Sequence, residues 1–193
     1  SYFMLKQIDK ISNPNLANYI KTFQDKKTTE IYDPYIQSNS YLRRSVVALR
    51  SFDFNNILGK QTRRAETRQA FAALSALDQI PNKPFEGIPY TQEKIKNYIQ
   101  SLDWKIPWGA GSHFSHLVFF LSMNHKMFGI HSKDISELID TAFLELEQYH
   151  HSDGTWYSKG TNISSLQKIN AGMKIMTAFE ASGRNDFGDP QPL

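Results

Sequence analysis

The chain has 193 residues, 40% of them apolar, 13% aromatic and 21% charged, a balance that suits a folded chain with one substantial core and excludes a disordered tail. The longest unbroken aliphatic or aromatic run, Leu117 to Leu121, falls far short of the about 20 residues a membrane-crossing helix needs, so no membrane span is expected. The chain has no cysteine, which excludes a disulfide framework, thiolate catalysis and Cys-based zinc or iron–sulfur centres, and its net charge of +3 gives only slight encouragement to an anionic partner.

The N-terminus, Ser-Tyr-Phe-Met, lacks the basic and apolar regions of a signal peptide, and a cytoplasmic setting is the expectation. Asn13 followed by Pro14 offers a helix cap and first-turn pair, and Leu16, Tyr19, Ile20 and Phe23 form the stripe of a first helix. Six of the seven arginines then fall between residues 43 and 68. They mark either a local anion site or a solvated helix face. No reading-helix motif accompanies them, so a nucleic-acid partner is not expected.

A helix over about 64–78 is predicted next, apolar or small nearly all round from Ala70 to Leu77. Arg64, Glu66 and Arg68 open it. Arg64 and Arg68 stand one turn apart and could clamp a carboxylate, sulfate or phosphate, or Glu66 could pair with an arginine and fix the helix end. An amphipathic helix over 91–103 follows, with Thr91 as its cap and Ile95, Tyr98, Ile99 and Leu102 as its stripe.

The segment Trp108-Gly109-Ala110-Gly111-Ser112-His113 reads as a glycine-rich turn leading into a second wrapped helix at 112–123. Free N–H groups at that helix start could receive an anion or a sugar hydroxyl, and Trp108 could offer a flat apolar face to a ring or an isoprenoid. Small residues that simply let helices pack are the competing explanation. His113 and His116, at i and i+3, would bind a metal only with a third ligand from elsewhere, so the preferred reading has His113 lining a cavity and His116 hydrogen-bonded inside the layer. No metal or cofactor is expected.

A helix over 132–149 has the clearest stripe: Ile135, Leu138, Ile139, Ala142, Phe143 and Leu146, with Ser132 as cap and Asp134 and Glu137 suiting the dipole. His150 and His151 are expected to be exposed ahead of the Asp153-Gly154 turn. The last wrapped helix spans 163–180, apolar or small all round from Ala171 to Phe179.

Amphipathic helices thus alternate with wrapped ones, the pattern of helical hairpins stacked in two layers. Aligning Thr67, Ser112 and Asn170 gives intervals of 45 and 58 residues, the length of a hairpin with its loops. If the wrapped helices run parallel, their leading turns meet at one end, which is where a site belongs. For acid–base chemistry the candidates at that mouth are His113, Glu66, Asp153 and Tyr157; for ligand binding they are Arg64, Arg68, Trp108, Gly111, Ser112, His116 and Trp156. The chain is read as one all-α domain over residues 1–193.

Phe143-Leu144, Gln148, Gly154 and Trp156, at their spacing over 14 residues, resemble the later part of the QW repeat of terpenoid-cyclase and protein-prenyltransferase-type α/α toroids. The resemblance implies that Gln148 caps a helix end, that Trp156 packs over it, and that the hairpins form part or most of an α/α toroid. Too few hairpins are present for a six-hairpin barrel, so the chain would be an open arc, a small ring or a fragment. The Asp-x-Asp-Asp proton donor of the cyclases and the zinc-binding cysteine of the prenyltransferases are both missing, so neither activity carries over. Two functions remain open: binding or processing of a carbohydrate or isoprenoid-type ligand at the mouth, and a non-catalytic helical-repeat module that holds a protein or ligand.

Overall fold

The computed structural model describes residues 14–32, 57–131 and 133–184; the expected caps Asn13 and Ser132, and Arg43, Arg44 and Arg50, lie outside the described residues. Among the described residues the chain is all-α, as its periodicity implies. Six helices occur: α1 (Pro14–Thr22), α2 (Ile57–Ala76), α3 (Gln92–Gln100), α4 (Pro107–Phe128), α5 (Ile135–Leu146) and α6 (Ser165–Ser182), with a 3-10 turn at Glu147–Tyr149. The chain divides into two compact units, Ser1–Gly87 and Ile88–Leu193.

In the first unit the loop after α1 is fastened to α2 through one hydroxyl. Thr67 Oγ1 receives the Ile31 N–H at 3.0 Å and donates to the Arg63 carbonyl at 2.7 Å, fully buried. Arg63 beside it pairs with Glu30 at 3.2 Å. Gln24 works from the other side, donating to the carbonyls of Thr29 and Lys83 and accepting from the Lys83 N–H. Phe71 and Leu74 of α2 supply the apolar anchor. Helix α2 begins at Ile57, seven residues ahead of the expected 64, so Arg64, Glu66 and Arg68 lie within it instead of opening it, and Arg63 serves the loop through its ion pair with Glu30.

The second unit is built from two hairpins. Helix α3 is capped by Thr91, whose hydroxyl accepts from the Lys94 N–H, and buries Ile95 and Ile99 completely. Helix α4 starts at Pro107, five residues ahead of the predicted start at 112, so Trp108 to His113 form helical turns and the expected glycine-rich turn is corrected. Proline at the first helical position presets the backbone, and Gly111, four residues further on, faces Ala171 of α6. Residues Phe114 to Leu121 are buried on every side, and Gly129, at φ +66°, closes the helix in the left-handed region. Helix α5 buries Leu138, Ile139, Ala142, Phe143 and Leu146, the stripe the sequence shows. Its cap position is Asp134, whose carboxylate lies 3.3 Å from His131.

Cross-helix contacts fix the directions. Gln92 reaches Glu137 and Gln100 reaches Glu145, each 45 residues away, so α3 and α5 run parallel. The Trp108 N–H points at Gln167 Oε1, 59 residues on, and Gly111 faces Ala171, so α4 and α6 also run parallel. Tyr98 with His113 and Tyr90 with Asn124 make α3 and α4 antiparallel; Phe143 with Phe179 and Asp140 with Arg184 do the same for α5 and α6. Two antiparallel hairpins therefore stand side by side in one register, α3 and α5 forming one layer, α4 and α6 the other. The core between them is continuous from Ile95 and Trp104 through Phe114, Leu117 and Leu121 to Phe143, Ile175 and Phe179.

One expectation is reversed. Helix α6 is not wrapped on all sides: it buries Ala171, Ile175, Ala178 and Phe179 but leaves Leu166, Ile169, Met173 and Met176 exposed at 68%, 59%, 64% and 41%. Its composition matched a surrounded helix because both of its faces are apolar, and only one is covered.

Candidate functional site

The parallel direction of α4 and α6 brings their leading turns to one end of the second unit. Two polar groupings stand there. The first belongs to the short hairpin after α5, where His150 bridges to Trp156 and the Tyr157 N–H bonds to the Tyr149 carbonyl at 2.9 Å. Asp153 shapes its tip: Oδ1 accepts from the Thr155 N–H at 3.1 Å and from the Thr155 hydroxyl at 2.6 Å, while Gly154 takes φ +75°.

The other carboxylate oxygen of Asp153 faces α6. Lys168 Nζ donates to it at 2.7 Å and to the Tyr157 hydroxyl at 3.1 Å, and the ammonium lies 4.3 Å from the Tyr157 ring centre. His151 also stacks on that ring, centroid to centroid 3.7 Å, and its Nε2 lies 3.1 Å from the Tyr157 carbonyl. Tyr157 thus contacts both a cation and an imidazole. His151, expected to be exposed, is half-buried by this stack.

The protonation states follow from these bonds. Burial pulls the Asp153 carboxyl upward, but the hydrogen bonds from Lys168 and Thr155 outweigh it and hold the pKa down to about 2. The bond to Asp153, and then that to Tyr157, raises the Lys168 pKa above its ordinary value. Around neutral pH the carboxylate is ionised and the amine protonated, each satisfied by the other. General acid–base catalysis needs a group poised near the working pH. Neither Asp153 nor Lys168 is poised that way, and the network is built to hold the hairpin against α6.

A pH dependence follows. Because the folded pKa of Asp153 lies below the ordinary 3.8, its stabilising contribution is present above about pH 4 and is lost as the pH falls towards 2. The Lys168 contribution, from a raised pKa, persists through neutrality and fades only above its ordinary 10.5. Asp153→Asn is therefore expected to lower Tm at pH 7 by about 2 °C, since the pair is partly solvated, and to match the parent chain near pH 2. Thermal melts at the two pH values check this; an equal difference at both contradicts it.

The second grouping is His113 with Tyr98. His113 Nδ1 lies 3.2 Å from the Tyr98 hydroxyl, across the α3–α4 contact. His113 thus engages the neighbouring helix layer, and His116 is buried one turn further along α4. Ser112 is half-buried and its carbonyl accepts from the Ser115 hydroxyl at 3.0 Å. Among the described residues no three of His, Asp or Glu gather where they could share a metal ion.

Trp156 is buried and stacked on His150 at 5.0 Å, and its indole N–H has no hydrogen-bond partner among the described residues. Gln148 donates to the Glu145 carbonyl and its carboxylate, so it serves the last turn of its own helix. Trp108 is different: it is 46% exposed at the head of α4, near the exposed Ile106. Gly111 lies close against α6, where an added Cβ would stand 3.1 Å from the Ala171 carbonyl oxygen. Arg64, Glu66 and Arg68 all lie on α2, in the first unit, and each is half-buried.

Of the sequence candidates, the structure brings Asp153 and Tyr157 together, and places Trp108, Gly111, Ser112 and His113 in successive turns at the same end. Lys168, which ties Asp153 to Tyr157, and Tyr98, which meets His113, escaped sequence reasoning. Tyr98 reads only as a stripe residue, and Lys168 as one cation on a helix whose partners sit in a loop. Comparison of the chain with protein-family models, with curated proteins and with solved structures gives no match in any of the three.

Proposed function

We propose that this chain is a non-catalytic helical-hairpin module, of the α/α-toroid type, that holds an apolar partner on the uncovered face of α6. The observation that carries the reading is the stripe Leu166, Ile169, Met173 and Met176, four large apolar side chains exposed in line on one helix. Scattered exposed apolar residues are ordinary, but a contiguous run on a single face marks an interaction surface. Methionine, flexible and polarisable, suits such a surface. Ile106 and Trp108, exposed where α4 begins, lie at the same end as Leu166, the neighbour of the Gln167 that meets Trp108.

The titratable groups support binding over turnover. Asp153 and Lys168 neutralise each other, and His113 is engaged by Tyr98. A second reading, processing of a carbohydrate or isoprenoid-type ligand, draws on Tyr157 and Trp108 standing at the end where α4 and α6 begin. The stripe extends along α6 well beyond that end, which favours a helix-sized occupant over a small ring.

The test is Ile169→Glu combined with Met173→Glu. Both side chains point to solvent, so the double variant should keep its fold by circular dichroism. With the environment-sensitive dye 1-anilinonaphthalene-8-sulfonate at submicromolar protein, its emission should fall several-fold below that of the parent chain. Equal emission from both would remove the reading.

A further inference from the structure

The exposed face of α6 has internal features that say what covers it. Its four residues are spaced three, four and three apart, the alternation of a helix–helix seam. The series is symmetric about Ala171: turned end for end, Leu166 takes the place of Met176 and Ile169 the place of Met173. The positions flanking the seam are Asn170, Gly172 and Thr177, all uncharged. A Cβ added to Gly172 would meet nothing within 4 Å, so a second helix backbone has room to approach there. Glu180, exposed, occupies the next seam position and ends the apolar run.

The nearby cations lie off the seam. Lys168 is held by Asp153 across the hairpin, and Lys174 lies to the side. Between Leu166 and Met176 the seam and its flanks carry no charge, so the run offers nothing to steer a charged partner; antiparallel contact centred on Ala171 sets the two Glu180 residues at opposite ends, where they do not meet. A two-fold axis needs this kind of self-complementary surface.

We infer that the occupant of the α6 face is a second copy of this chain, the two α6 helices packing antiparallel so that Ile169 of each meets Met173 of the other. This rests on the reading of α6 as the binding face and names its partner. Four seam residues per chain make a short contact, so the dimer is weak and forms with rising concentration.

Sedimentation equilibrium of the full chain from about 1 µM to about 500 µM is expected to show the mass rise from one chain towards two, and the Ile169→Glu, Met173→Glu variant to stay at one chain throughout. Because the chain has no native cysteine, oxidation reads the geometry without background. A mixture of Ile169→Cys chains with Met173→Cys chains should form a disulfide-linked dimer. Leu166→Cys chains alone should not, since antiparallel packing would set those positions about 15 Å apart along the axis, beyond disulfide reach.

A chain that stays monomeric at the highest concentration overturns the inference, and so does crosslinking of Leu166→Cys with itself, which means parallel packing. The binding-face reading fails separately: a monomer whose dye emission still drops in the double variant has lost the homotypic partner but kept the face.

Discussion

Trp104→Ala is expected to destabilise the second unit by about 3–5 kcal/mol, seen as an earlier midpoint in urea denaturation and a Tm lower by roughly 10 °C. Trp104 is among the largest fully buried side chains, and three separate attachments meet on it. Its indole N–H donates to the Ile99 carbonyl at 3.0 Å, holding the end of α3. Its ring stacks on Tyr149 at 4.4 Å, the residue that closes α5. Its own carbonyl receives the Ser158 N–H at 3.0 Å, fastening the strand-like hairpin that carries Asp153 and Tyr157. Alanine removes the first two and leaves a cavity where α3, α5 and the hairpin converge. Trp104→Phe keeps an aromatic ring against Tyr149 and loses the hydrogen bond, so a cost of about 1 kcal/mol is expected. A Trp104→Ala variant within 1 kcal/mol of the parent would show that these attachments do not act through the indole.

Trp104 also shows what local pattern could not reveal. It sits in the short link between α3 and α4, outside any periodic stripe, and its importance comes from partners at positions 99, 149 and 158. The stripes themselves were legible: Ile95 and Ile99 on α3, and Leu138 to Leu146 on α5, are buried as their spacing dictates, because a half-covered helix must place its apolar residues on one side. Of the two intervals, the 58 residues from Ser112 to Asn170 lie next to the offset of 59 at which α4 meets α6, whereas Thr67 lies on α2 in the first unit.

Composition failed where it was asked to report coverage. An apolar side chain signals that a face prefers burial, and carries no word on whether a neighbour exists to bury it. Phe114 to Leu121 and Ala171 to Phe179 look alike in sequence, yet α4 is enclosed while α6 is covered on one side. The polar site was legible only in part for a similar reason. Asp153 and Tyr157 stand close along the chain, whereas Lys168 joins them from a separate helix and Glu66, read with them, lies in the first unit.

Two glycines two residues apart at the head of α4, and so on opposite sides of the helix, are expected to respond with opposite signs, and this contrast decides what the Trp108 to His113 segment is for. A Cβ at Gly111 would sit 3.1 Å from the Ala171 carbonyl oxygen and 3.4 Å from its Cα, both backbone atoms of α6 that cannot rotate aside. Gly111→Leu must therefore push the two parallel helices apart along a contact that runs from Trp108 and Gln167 to the core. A loss of about 3 kcal/mol or more is expected, at the upper end of overpacking costs. At Gly109 an added Cβ meets only Ile106 Cγ2 at 3.9 Å, and neither residue has positive φ. Gly109→Ala should thus stabilise, by up to about 1 kcal/mol, because alanine gives up less backbone freedom when the helix forms. Urea denaturation of the two variants measures both effects. Were the segment a ligand-cradling turn that needed glycine for its backbone angles, Gly109→Ala would destabilise it as well; a gain at 109 beside a large loss at 111 identifies Gly111 as the means by which α4 and α6 touch.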